Sequence, residues 1–166
     1  MWRTMGRAIG LGGLLVAGAL AARPADAQNP RFVRDFVADT QGILAEVDAT
    51  RKQFEAELAD PARQGRPPAA DPQKATERFQ QTFGGTMEKF GVRVKKLNEN
   101  RRRAERTLSQ KEAQFTGEVY GDLMKIMQRL AASQVQLTEP PARRAAFFEE
   151  VGKQAETLRK KLQAYP

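Results

Sequence analysis

Apolar residues recur from residue 30 onward at alternating steps of three and four positions. This 3.5-residue period brings the apolar side chains to one side of an α-helix, as coiled coils and helical bundles require. Apolar and polar residues nowhere alternate over a run long enough to indicate a β-strand. The pattern therefore predicts an all-α fold, either a helical bundle or a long coiled-coil hairpin with heptad-spaced apolar seams.

Helix start signals and a proline-rich stretch divide the chain. A capping side chain precedes a first-turn proline at Asn29-Pro30, at Asp71-Pro72 and at Thr138 before Pro140-Pro141. Prolines and a glycine between the first two starts indicate a linker at residues 60–71. The predicted helices are about 30–59, 72–137 and 140–164, in a single domain of residues 28–166.

The middle segment has two alternative structures. As one helix, residues 72–137 would be about 100 Å long, the length of an extended coiled-coil arm. Glycines at 84–85 and a capping-box sequence, Ser109-Gln110-Lys111-Glu112, offer breaks near 84–85 or 108–112. A break near 108–112 predicts a four-helix bundle. The Gly117-x-x-x-Gly121 spacing indicates a kink or a close helix crossing.

The first 27 residues have the order of a secretory signal peptide. Arg3 and Arg7 precede an apolar run, Ile9 to Ala22, which is shorter than the ~20 residues that span a bilayer. Ala25 and Ala27 then fit a cleavage site. We expect an exported, periplasmic protein that is cleaved near Ala27.

A strongly basic segment lies between residues 89 and 106. Its only acidic residues are Glu99 and Glu105. It is either a face that binds an anionic partner or a solvated face with local ion pairs such as Lys95–Glu99. The basic residues are Lys89, Arg93, Lys95, Lys96, Arg101, Arg102, Arg103 and Arg106.

Two arginines and several phenylalanines bear on the packing. Arg51 and Arg101 fall at seam positions, where each must be exposed, paired with a carboxylate, or at the mouth of an oligomer cavity. The chain has nine phenylalanines, and their spacing assigns them to the core. One narrow seam does not need all of these phenylalanines, so some of them are candidate apolar contacts for a partner. The candidates are Phe32, Phe147 and Phe148.

Composition argues against catalysis and cofactors. The chain contains no His and no Cys, so it lacks the commonest general base, the thiolate ligands and the Glu-x-x-His pairs of di-iron bundles. We predict no enzyme activity, no metal site and no cofactor. The basic segment has no interleaved aromatic residues for base stacking, which argues against nucleic acid.

In composition and helix plan, the mature chain resembles the periplasmic holdase chaperones of the Skp/OmpH type, which are small, exported, basic and built from long coiled-coil helices. Those proteins begin with a short β-strand, whereas here Gln28-Asn29-Pro30 leads straight into a helix, and no motif of that family matches. The resemblance implies a chaperone-like protein that holds unfolded clients or a protein partner, as a monomer or homo-oligomer.

Two other functions stay open at this point. One is a structural or accessory subunit of a cell-envelope or secretion complex, whose seam another protein's helix would complete. The other is a protein that binds anionic lipid headgroups through residues 89–106.

Overall fold

The computed structural model describes residues 29–59 and 72–165, with only the backbone described at 72–75. The described residues form four α-helices and no β-strand, so the prediction of an all-α fold is confirmed. The predicted signal peptide, with Ala25 and Ala27, and the predicted linker lie outside the described residues. The helices are α1 (Pro30–Leu58), α2 (Pro72–Ala104), α3 (Gln110–Ala131) and α4 (Pro141–Gln163).

The starts of α1 and α4 differ in how they are capped. Asn29 accepts a 3.0 Å hydrogen bond from the backbone N–H of Phe32, and Pro30 occupies the first turn, as predicted. The residue before α4 is Pro140, and no side chain caps this helix. Thr138 instead donates its hydroxyl to the carbonyl of Val135, so its prediction as the capping residue is wrong.

The middle segment is interrupted between α2 and α3. The helix runs through Gly84 and Gly85 and ends at Ala104, followed by a short 3-10 segment at Glu105–Thr107. The capping box is present: Ser109 Oγ accepts from the N–H of Glu112, and the Glu112 carboxylate accepts from the N–H of Ser109 at 2.7 Å. A single helix of about 100 Å therefore does not form, because the chain turns where this box starts a new helix.

The four helices enclose one core. Helix α1 packs against α2, α3 and α4, and α3 also packs against α4. The seam prediction holds in each helix, since most of its apolar positions are buried. The largest fully buried side chains are Phe36, Ile43, Leu44, Val47, Phe54, Leu108, Val119, Leu123, Ile126, Leu130, Phe148 and Leu158.

Aromatic packing joins the end of α1 to the first part of α2. The ring of Phe54 lies 5.2 Å from that of Phe79 and 5.7 Å from that of Phe83, measured between centroids. Phe54 is fully buried, and Phe79 is 4% exposed. This cluster fixes the direction in which α2 runs along α1, and with it the side of α2 that faces outward.

Candidate binding surface on the second helix

The basic segment divides into two arginines that contact neighbouring helices and six cations that do not. Arg93 forms an ion pair with Glu46 of α1. Arg101 hydrogen bonds to Asn98 on its own helix and lies over the ring of Tyr120 in α3, 5.5 Å from its centroid. Both arginines are half-buried, so they hold α2 against α1 and α3.

The remaining six cations are exposed. In the part of the chain that the structure describes, none of them makes an ion pair or a hydrogen bond, and the predicted Lys95–Glu99 pair is not formed. We call these six cations, together with the exposed residues that lie between them, the basic outer face of α2. The six cations are Lys89, Lys95, Lys96, Arg102, Arg103 and Arg106.

Helix geometry explains why these cations share one surface. At 3.6 residues per turn, the five cations that belong to α2 lie on its side opposite the buried Phe90, Val94 and Leu97. Arg106 follows in the 3-10 segment Glu105–Thr107. From Lys89 to Arg106 they extend over about 25 Å. Their arrangement in two strips leaves Val92 between them, and Val92 is 64% exposed. The face is thus a mainly cationic surface, with the apolar Val92 near its Lys89 end and the exposed carboxylates of Glu88 and Glu99 between the two strips.

The two arginines at seam positions each contact a polar side chain of their own helix, although Arg51 Nε is buried without a hydrogen-bond partner among the described residues. Arg51 forms a 3.0 Å ion pair with Glu55 on its own helix, and a Cβ added at Gly152 of α4 would lie 3.4 Å from its Nε. A Cβ added at Gly117 of α3 would lie 4.0 Å from Nη1 of Arg101. Helix α3 continues through Gly117 and Gly121 without a break, and a Cβ added at Gly121 would meet no atom of the described residues within 4 Å.

The three candidate phenylalanines have different surroundings. Phe148 is fully buried in the core and is therefore not available as a partner contact in this fold. Phe32 is half-buried beside Phe36, with 6.0 Å between ring centroids. Phe147 is half-buried, packs edge-on against Phe148, and lines two shallow clefts between α3 and α4 beside Arg129.

Two further clefts lie among the described residues. One, of about 420 Å³, runs between α3 and α4 and is lined by Asp122, Lys125 and Glu150. Another, of about 750 Å³, lies where the start of α1 meets the end of α4, and Val33, Arg34 and Tyr165 are among its lining residues. Neither of these two clefts is lined by a cation of the basic outer face.

Two carboxylates of α3, Asp122 in the first cleft and Glu118 one turn before it, have pKa values below their usual range. Burial alone would raise the pKa of Asp122, but hydrogen bonds from Lys161 and Lys125 outweigh it and lower that pKa below its usual value. Hydrogen bonds from Gln114 and Lys161 lower the pKa of Glu118. A general acid needs a raised pKa, so these carboxylates are suited to ion pairing and not to proton donation.

The apolar seam pattern of the sequence does not identify several residues that contact or belong to this surface. Glu46 and Tyr120 contact the basic segment from other helices, and sequence spacing cannot identify such pairs. Val92 and Gly91 could have been assigned to the outer face from their angular position opposite the seam. The described residues contain no cluster of side chains suited to a metal ion, and none of their helices is long and apolar enough to span a membrane.

Comparison with models of protein families, with curated proteins and with solved structures gives no match to this chain.

Proposed function

We propose that this chain is an exported, periplasmic helical binding protein that holds an anionic partner on the basic outer face of α2. One observation carries the proposal: five exposed cations of α2, and Arg106 in the 3-10 segment that follows it, have no ion-pair partner among the described residues, while the apolar side of α2 is buried in the bundle. Concentrated like charge destabilises the compact state and attracts an oppositely charged partner. Export rests on the signal-peptide pattern of residues 1–27.

Because the apolar helix faces are buried in the core, we assign the contact that holds the partner to charge and not to those faces. A holdase that grips clients by apolar helix faces needs those faces open, whereas the large apolar residues here fill the core. The exposed large apolar side chains among the described residues are Val92 at 64% and Val135 at 62%. We therefore assign the main attraction to charge, with Val92 as an apolar contact within the charged surface.

Binding is a better match than catalysis for this set of side chains. The sequence contains no His and no Cys. Two acidic groups of α3 are paired, with Lys161 Nζ 3.0 Å from both Glu118 and Asp122. Such pairs hold neighbouring helices together and favour the ionised form of these two carboxyl groups.

A charge-matched pair of variants tests the proposal. Lys95→Gln, Lys96→Gln, Arg102→Gln and Arg103→Gln together remove four charges from the face, while Arg93 and Arg101 keep their contacts. A control removes four charges elsewhere through Lys125→Gln, Arg143→Gln, Lys153→Gln and Lys160→Gln. The probe is labelled poly-glutamate, followed by fluorescence anisotropy at increasing salt.

We expect the face variant to lose at least about tenfold in affinity, equivalent to ~1.4 kcal/mol, and the control to lose much less. Binding by the wild type should weaken steeply with salt, because the attraction is between exposed charges. Equal losses in the two variants would show that net charge, and not this surface, is responsible, and would refute the proposal.

A further inference from the structure

We infer that the cleft of about 750 Å³, where the start of α1, the start of α3 and the end of α4 meet, binds a small anionic amphiphile of the alkyl carboxylate class. This site is separate from the basic outer face of α2, and the inference does not depend on the proposed function. Three properties of the cleft carry it: an apolar base, hydroxyl donors without acceptors, and an excess of positive charge.

The base of the cleft is apolar and continuous with the bundle core. Val33 of α1 and Leu162 of α4 line it, and each is only 3% exposed. The lining residues of α1 run from Pro30 to Gln41, a rise of about 16 Å along the helix axis. An alkyl chain laid along α1 would therefore contact apolar side chains of two helices, and each methylene that it buries adds to its affinity.

Two hydroxyl groups in the lining are free to donate. The ring of Tyr165 stacks on Phe115 with 3.8 Å between centroids, and its hydroxyl has no hydrogen-bond partner among the described residues. Burial and the charge of Glu112 raise the pKa of Tyr165, so the phenol keeps its proton at neutral pH. Ser109 Oγ accepts from the N–H of Glu112 and retains its own proton. Both hydroxyls can therefore donate to an anionic head group.

Two cations line the cleft without a partner. Arg34 of α1 and Lys111 of α3 are exposed, and neither forms an ion pair or a hydrogen bond in the part of the chain that the structure describes. At 3.6 residues per turn, Asp35 and Asp39 lie on another side of α1 and do not line the cleft. The guanidinium of Arg34 offers paired N–H donors that match the two oxygens of a carboxylate.

The lining contains one carboxylate, that of Glu112, and its oxygens are already used. One accepts from the N–H of Asn29 at 3.0 Å and the other from the N–H of Ser109 at 2.7 Å. Glu112 is only 7% exposed, so it offers no acceptor to a cationic ligand. The two cations outnumber this carboxylate, so charge selects an anionic head group while the base selects an apolar tail.

The probe is decanoate, titrated calorimetrically below the concentration at which it forms micelles. The protein is the chain as purified after expression with its leader. Decyltrimethylammonium has the same tail with the opposite charge, and acetate has the same head group without the tail. We expect a single decanoate per chain, binding at least about tenfold more tightly than decyltrimethylammonium. Acetate should not compete with decanoate at equal concentration.

A variant that fills the cleft tests the position of the tail. Ala38 is exposed and lines the cleft, so Ala38→Trp places a large ring there. Ala45→Trp, two turns further along α1 at an exposed position outside the lining, is the matched control. Ala38→Trp should weaken decanoate binding at least about tenfold and Ala45→Trp should leave it unchanged. Circular dichroism verifies that both variants keep the helical content of wild type.

A second pair of variants tests the position of the head group. Arg34→Gln with Lys111→Gln removes both cations of the cleft, and we expect a loss of at least about tenfold. Lys52→Gln with Lys160→Gln removes two exposed charges that do not line the cleft, and it should bind decanoate like wild type. The variant without the two cleft cations should still bind poly-glutamate, because the basic outer face of α2 is intact.

Four results would overturn the inference. Equal binding of decanoate and decyltrimethylammonium would show that charge does not select the ligand. Equal losses in the two tryptophan variants, or unchanged binding in Ala38→Trp, would show that the tail lies elsewhere. Loss of decanoate binding in the four-charge face variant of α2 would place the anion on that helix. A dimer in sedimentation that Ala38→Trp dissociates would identify the cleft as an interface with a second copy.

Discussion

The backbone N–H of Asn29 donates a 3.0 Å hydrogen bond to Oε1 of Glu112, which lies 83 residues further along the chain. The other oxygen of the same carboxylate accepts from the N–H of Ser109 at 2.7 Å. Glu112 is only 7% exposed. One buried carboxylate therefore ties the start of α1 to the start of α3, at the point where α2 gives way to α3.

Replacing Glu112 by glutamine should destabilise the bundle by about 1–3 kcal/mol, because a buried backbone donor is left without an acceptor. Urea unfolding followed by circular dichroism measures the loss. Glu99→Gln, an isosteric change at an exposed carboxylate of α2, serves as the control and should stay within about 0.5 kcal/mol. Equal stability of the two variants would contradict the role assigned to Glu112.

Alanine at the uncovered glycines of α2 should stabilise the protein. Gly85→Ala and Gly91→Ala each have room for the new methyl group, and each should add about 0.5–1 kcal/mol to the free energy of unfolding. Gly152→Ala should gain less, because its Cβ would lie 3.4 Å from Arg51 Nε. Thermal unfolding of the three variants checks this order, and a destabilised Gly91→Ala would show that its surroundings are not open.

Removing a ring from the aromatic cluster between α1 and α2 should lower the free energy of unfolding. Phe54→Ala removes a fully buried ring that contacts Phe79 and Phe83, and we expect a loss of about 3–5 kcal/mol. Val92→Ala, at an exposed position, should change stability by less than about 0.5 kcal/mol. Urea unfolding compares the two; a small effect of Phe54→Ala would mean that this end of α2 does not pack on α1.

The interaction of Lys161 with Glu118 and Asp122 should make stability depend on pH on the acid side. The pKa of Asp122 is lowered in the folded state, so its contribution is complete above the usual carboxyl value near pH 4 and is lost as pH falls through the folded pKa. Lys161→Gln removes a main cause of that lowering. The variant should therefore lose less stability between about pH 4 and pH 2 than wild type does.

Denaturant unfolding at each pH value measures this difference, with Lys125→Gln as a second comparison, because Lys125 also donates to Asp122. Parallel pH profiles for wild type and Lys161→Gln would contradict the assignment of the acid-side loss to this group of charges.

Processing of the precursor is a separate prediction from the sequence. Expressed with its leader in a bacterium, the chain should appear in the periplasmic fraction with Gln28 as its first residue, by N-terminal sequencing. Ala27→Glu places a charge at the cleavage position and should leave the precursor uncut. A full-length chain in the cytoplasmic fraction would contradict export.

The sequence was a good guide to features that depend on neighbouring residues. The seam that includes Leu44, Val47 and Phe54 was predictable because burial follows the helical period. The start of α3 was predictable as an alternative because a capping box is local in sequence, with Ser109 and Glu112 three residues apart. Choosing between one long helix and a break required the packing of α3 against α1 and α4, which no local pattern shows.

The candidate surface was predictable only in part. The eight basic residues could be identified in the sequence. Their spacing could not show that Glu46 pairs with Arg93, or that the guanidinium of Arg101 lies over the ring of Tyr120. Likewise, adjacency in sequence does not distinguish Phe147 from Phe148, and only the fold places Phe148 in the core. Contacts between helices decide which members of a charged or aromatic run remain free.

The central claim is that an anionic partner occupies the outer face of α2. The chain has no cysteine, so a single cysteine at position 92 or 135 can carry an environment-sensitive dye. Both valines are similarly exposed, at 64% and 62%, and only Val92 lies among the six cations. When poly-glutamate is added, the emission should change for the dye at position 92 and not at 135, and salt should reverse it. An equal change at both positions, or none at 92, would contradict the account.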